Sequence, residues 1–342
     1  MQEKKIRVPY EERDKKRKDL STLNLLESRF FNLFRNRNVL LISAIILGLS
    51  LGQGARFIEP VIIPLLALVM TLATMGVPGS IFLTPRSLWR PALVGLLMNY
   101  GVLGGFILVL NALLIRDQAL WVGFIILMAV PPAVAVTPFT NLLNGNSSFS
   151  LIAMVGCYLA ALILMPLITL GLLGADLVDR RRLITILIEL VLLPLIFSQV
   201  LRKTGWAHRI EPFKGAITNW SFFLLTYTIV GLNHAVFLHR PLMLAPVVAI
   251  ALGSTFFLGW IIQRGGSFFQ VDPQTLTSLT LLGTCKNTGL GAGLALALFS
   301  EKTAIPSTVT TIFMISYFVW LSLQNRRVPA ANRDSSQGTE KI

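Results

Sequence analysis

The chain has 342 residues, of which 54% are hydrophobic and only 13% charged, with a mean hydropathy of +0.70 and a formal net charge of +14. A water-soluble bundle of buried helices would need a polar outer layer that this composition does not supply, so the class is integral membrane protein. Nucleic-acid binding is not indicated either, because the basic run Lys15, Lys16, Arg17 and Lys18 is interleaved with Glu11, Glu12, Asp14 and Asp19.

Residues 1–37 hold eleven Lys/Arg and six Asp/Glu and read as a basic cytoplasmic tail. No apolar stretch follows the basic residues within the first thirty positions, so a secretory signal peptide is not expected. From Leu20 to Arg37, Leu23, Leu26, Phe30, Phe31 and Phe34 alternate with Glu27, Arg29 and Arg35, the pattern of a helix lying on the membrane face. Ten apolar segments then follow, at about 38–55, 59–78, 92–115, 119–143, 148–173, 183–201, 215–238, 241–263, 275–299 and 304–323. Each is read as a membrane crossing, for which about 20 mostly apolar residues suffice. Residues 324–342 form a second polar tail.

With both termini inside, the cytoplasmic segments hold 22 Lys/Arg and the outer ones 7, the bias expected of a multi-pass protein of the cell membrane. Arg180, Arg181 and Arg182 stand on the wrong side for that rule, and the sequence offers no reason for it. Residues 38–174 and 183–323 carry five crossings each, joined by a connection at 175–182. An odd number per half sets the two halves in opposite orientation, which is the plan of an inverted repeat with its site near the midplane.

Broken helices at matching positions support this plan. In the fourth crossing Pro131, Pro132 and Pro138 remove backbone donors and clash with the preceding turn. In the ninth, Gly283, Gly289, Gly291 and Gly293 surround Lys286. A charged side chain at that depth costs about 2.5–3.5 kcal/mol even on the lenient insertion scale, so protein or trapped water must surround it. Between the breaks, Glu189 is the only acid well inside a crossing, and a pair with Lys286 is one use for it. Reaching back to the interface is the plainer one. Asn219, Thr226 and Asn233 recur at intervals of seven in the seventh crossing and so share a helix face, suited to lining a cleft or to bonding a neighbouring helix. Cys157 and Cys285 lie in apolar runs without metal-ligand spacing and read as packing residues.

Lys286, Asn287, Thr288, Gly289 and Leu290, with Ala295, Leu296, Ala297 and Pro306, and the earlier Val130, Pro131, Pro132 and Ala133 followed by Leu142, Leu143, Asn144 and Gly145, resemble the bile acid:sodium symporter superfamily. The resemblance covers all ten crossings. It implies a core of crossings three to five and eight to ten, a panel of one, two, six and seven, and a substrate cleft between them. Members move organic anions, usually with sodium.

The chain departs from the sodium pattern that the resemblance implies. Leu282 and Lys286 stand where a Glu and a Gln are usual, Val136 and Thr137 where Ser and Asn are usual, and Met154 where a hydroxyl is usual; nearby only Ser150 keeps an oxygen. Hard cations take oxygen ligands, which Val, Leu and Met do not offer. The expectation is an all-α transporter of a small or amphipathic organic anion, working by alternating access without sodium, with Lys286 as the built-in cation and Lys286, Asn287, Thr288 and Thr137 at the site. A sodium- or proton-coupled symporter of the same fold and an auxin-efflux-like carrier are the alternatives. An intramembrane enzyme would need a nucleophile with its base, or clustered metal ligands, and the sequence shows neither. No cofactor or metal is expected, and the partners are the anion and the lipid bilayer.

Overall fold

A computed structural model describes residues 37–75, 85–174, 179–239 and 241–327. The surface helix expected at Leu20 to Arg37 lies outside these residues but for Arg37, as do residues 1–36 and 328–342 of the two polar tails and residues 175–178 of the 175–182 connection. Among the described residues, and apart from a short helix at His234–His239, the helices are α1 (Arg37–Ser50), α2 (Gly52–Thr74), α3 (Leu88–Leu114), α4 (Gln118–Ala129), α5 (Val136–Leu142), α6 (Ser147–Leu173), α7 (Arg180–Lys203), α8 (Trp206–Leu232), α9 (Leu242–Phe268), α10 (Pro273–Leu282), α11 (Thr288–Leu298) and α12 (Ile305–Arg327). Seven helices among the described residues are long and apolar enough to cross a membrane, at Gly52–Thr74, Leu88–Leu114, Ser147–Leu173, Arg180–Lys203, Trp206–Leu232, Leu242–Phe268 and Lys302–Gln324. The protein is an all-helical, multi-pass membrane protein.

Three of the ten expected crossings therefore differ from continuous spans. The first has only 14 described helical residues, and the fourth and ninth are each split into two short helices. Proline explains the first split. Val130 is extended, with φ −69° and ψ 152°, because the ring of Pro131 excludes the helical conformation from the residue before it. Pro138 does not contribute to the break: it lies in the first turn of α5, where a missing N–H is tolerated.

Local sequence also starts the helices. The side chains of Asp117, Asn146, Asp179, Asp272 and Asn287 accept hydrogen bonds from backbone N–H groups in the first turns of α4, α6, α7, α10 and α11. Such caps satisfy donors that a helix start leaves open. Between α7 and α8, Gly205 adopts φ +78°, which admits the tight turn that joins them.

The helices pack in two sets. In one, α1 runs along α8, and α2 packs on α7 and α8. Arg202 at the end of α7 donates to Met75 O at the end of α2, 3.0 Å away. In the other, α3 packs along α6, α4 lies against α6 and α12, and α9 packs on α10 and α12. Small residues permit the α3–α6 approach: a Cβ on Gly95 would stand 2.7 Å from the Ala153 methyl, and one on Gly156 2.5 Å from that of Ala92. π-helical turns interrupt α3 at Leu97–Gly104, α7 at Ile188–Leu192 and α9 at Gly253–Phe257. Wide turns of this kind expose backbone groups and recur at functional positions.

Candidate functional site at the helix crossing

The two breaks meet. The non-helical segments 130–135 and 283–287 cross, with an antiparallel bridge between Pro132 and Lys286 and turns at 134–135 and 283–284. Ala133 N donates to Cys285 O at 3.1 Å, and Asn287 N donates to Pro131 O at 2.8 Å. Each break thus satisfies backbone groups that the other leaves open, which is how irregular backbone survives where water is scarce.

Four helix ends point at this crossing, and side chains close three of them. Lys286 Nζ donates to Met128 O at 2.7 Å, Val130 O at 2.9 Å and Asn99 Oδ1 at 2.8 Å. Its three protons have three acceptors, two of them carbonyls at the C-terminal, negative end of α4. The ammonium also lies 4.3 Å from the centre of the Tyr100 ring, within cation–π range. Only 1% of the side chain is exposed. Asn99, from the π turn of α3, closes the opposite end: its Nδ2 donates to Leu282 O at 2.9 Å and reaches Cys285 O at 3.4 Å, at the C-terminus of α10. One amide therefore joins the lysine to the second broken helix.

Asn287 caps α11 through Leu290 N at 3.1 Å, and its Nδ2 donates to Tyr158 OH at 3.0 Å. Tyr158 OH in turn donates to Pro132 O at 3.1 Å, which ties α6 into the crossing. A longer contact, 3.4 Å from Asn287 Nδ2 to Met70 Sδ, reaches α2 in the other helix set. Thr288 Oγ1 bonds Thr311 Oγ1 of α12 at 2.8 Å.

A small cavity of about 20 Å³ lies where the two helix sets touch beside the crossing. Phe222, Leu225, Thr226 and Ile229 of α8 face Thr288, Gly289 and Ala292 of α11 and Thr308 and Thr311 of α12 across it. Apolar walls and hydroxyls share this space at the N-terminal, positive end of α11.

The remaining residues singled out in the sequence fall elsewhere. Thr137 is half-buried, and its hydroxyl meets only Met154 Sδ, at 3.7 Å; Ser150 Oγ is buried and bonded to Thr140 Oγ1 at 2.9 Å. Val136, Leu282 and Met154 are buried in apolar packing. Glu189 is exposed on α7 and is not among the partners of Lys286. Of the three residues spaced by seven, Thr226 lines the cavity, Asn219 is half-buried on α8, and Asn233 lies just past the helix. Asn233 Nδ2 donates to Ile229 O and to Glu301 O at 2.9 and 3.0 Å, so it fastens the end of α8 to the start of the last crossing. Gly283 ends α10 and Gly289 stands in the first turn of α11.

The sequence reading passed over Asn99, Tyr158 and Thr311 as site residues. Asn99 carried a signal, an amide in an apolar crossing, but nothing in its neighbourhood told it from the other polar residues there.

A family model describing the SBF-like CPA transporter family matches residues 39–319. The chain belongs to that family. The assignment bears out the resemblance to the bile acid:sodium symporter superfamily, and it makes this SBF-like protein a membrane transporter. The comparison with curated proteins gives no match.

Proposed function

We propose that this SBF-like transporter carries a small or amphipathic organic anion by alternating access, without sodium, and that Lys286 holds the helix crossing together in place of a bound cation. The observation that carries the reading is the set of three oxygens around Lys286 Nζ. Two are carbonyls freed by the break in α4, the kind of ligand a hard cation would take. The tethered ammonium supplies the charge at all times. Apolar packing at Val136, Leu282 and Met154 supports the same reading, because those side chains offer no oxygen to an ion.

The matching breaks, and the π turns in both α3 and α9, support two inverted five-crossing repeats, 38–174 and 183–323, with α1, α2, α7 and α8 as panel and the rest as core. On that plan the threonine-lined cavity between α8, α11 and α12 is the closed remnant of the substrate cleft. Lys286 does not face it. Anion preference is instead argued from the positive end of α11 and the hydroxyls of Thr226, Thr288 and Thr308.

The test is uptake of a panel of carboxylates and sulfonates by proteoliposomes containing the full chain, in sodium and in choline buffer. Equal uptake of one anion in both buffers is the expected result. Uptake that vanishes in choline would overturn the built-in-cation reading.

A further inference from the structure

A groove of about 350 Å³ runs between α6 and α7, at one seam between the two helix sets. Its walls are Leu159 and Leu162 of α6 and Leu192, Leu195, Ile196 and Val200 of α7. Leu192, at the deep end, closes the π turn of α7, two residues ahead of Pro194. Gln199 and Lys203 line the other end, and Lys203 is exposed at the last residue of the helix.

We infer that this groove is a binding site for one anionic phospholipid, an acyl chain lying along the leucine walls and the phosphate at Lys203. Length argues for it. From Leu192 to Lys203 α7 rises about 16 Å, roughly half of the ~30 Å hydrocarbon core, so the groove spans one leaflet. Polarity follows the same axis, apolar at the midplane end and cationic at the membrane surface, as a lipid is. Basic pockets between membrane helices bind anionic headgroups in this way. The groove has one wall from each helix set, so a lipid there would favour whichever arrangement of the sets holds it more tightly. The inference needs only the membrane placement of the protein and is independent of the transported substrate.

The experiment is native mass spectrometry of the purified full chain with dioleoyl phosphatidylglycerol or dioleoyl phosphatidylcholine. Wild type should retain one phosphatidylglycerol in preference to phosphatidylcholine, by about fivefold, as expected for one lysine at an anionic surface. Lys203→Ala should lose that preference and Lys203→Arg keep it. Arg209→Ala, an exposed cation outside the groove, should leave it unchanged. A second variant, Ile196→Trp, fills the groove and should lower retention of both lipids. Equal retention of the two lipids by wild type, or a preference that survives Lys203→Ala, would overturn the proposal.

Discussion

Lys286 has three protons and donates all of them to buried oxygens of α3 and α4. Removing the amine leaves Asn99 Oδ1, Met128 O and Val130 O without this donor where water does not replace it. Lys286→Met, close to the same volume, is therefore expected to destabilise the protein by about 1–3 kcal/mol, the range for leaving a buried neutral acceptor unsatisfied. Unfolding in detergent, followed by loss of tryptophan fluorescence change or of helical signal, measures it. A variant as stable as wild type would mean that the crossing does not depend on the ammonium. The oddity of Lys286 was legible from residue type alone, since a lysine at that depth must have partners. Those partners were not legible: Asn99 is 187 positions away in the chain and meets the ammonium only because the two breaks cross.

At the level of elements, the start of α4 is tied to the turn before α12. Asp117 caps α4 through Ala119 N and Leu120 N, and its other oxygen is 2.5 Å from Lys302 Nζ. Partial burial pushes the Asp117 carboxyl up, but the hydrogen bond and charge of Lys302, with the two backbone donors, outweigh that and hold it below its usual value. A carboxyl lowered on folding contributes stability above its unfolded value, about 3.9, and loses it as pH falls through the lower folded value. The thermal midpoint of wild type should therefore fall on acidification below about pH 4 by more than that of Asp117→Asn, which keeps an oxygen to cap α4 but lacks the charge. Identical pH profiles would show that the pair contributes nothing. The caps at Asp117, Asn146, Asp179 and Asp272 were within reach of sequence reasoning because each acts within three residues. The ion pair was not, because it joins residues 185 apart.

Over the whole molecule, the two helix sets meet at the cavity between Thr226 of α8 and Thr308 of α12. If transport requires the sets to move past one another, fixing this contact must stop it. Replacing Thr226 and Thr308 by cysteine and bridging them with a short bifunctional thiol reagent is expected to cut uptake at least tenfold. Neither single variant treated with the same reagent should lose as much, which separates bridging from modification. Thr226 and Thr308 are buried like the native Cys157 and Cys285, so both native cysteines are first replaced by alanine and the reagent is added during transport, when the sets part. Uptake that persists in the bridged protein would place the moving seam elsewhere.

Residue order by itself determined the membrane class, the approximate positions of the apolar segments and the places where two helices break. Hydrophobic runs, prolines and an intramembrane lysine act through local chain chemistry and the uniform demand of the bilayer, so no partner need be known to read them. Tertiary structure decided what the breaks do: that 130–135 and 283–287 pair, that Lys286 serves the carbonyls of α4 while Asn99 serves those of α10, and that Asn233 fastens a helix end while only Thr226 of its spaced set lines the cavity. It also set Glu189 on an exposed face of α7 and gave Lys286 other partners. The physical reason is that a buried polar group is satisfied by whatever donor or acceptor the packing brings within about 3 Å, and chain separation carries no information about that.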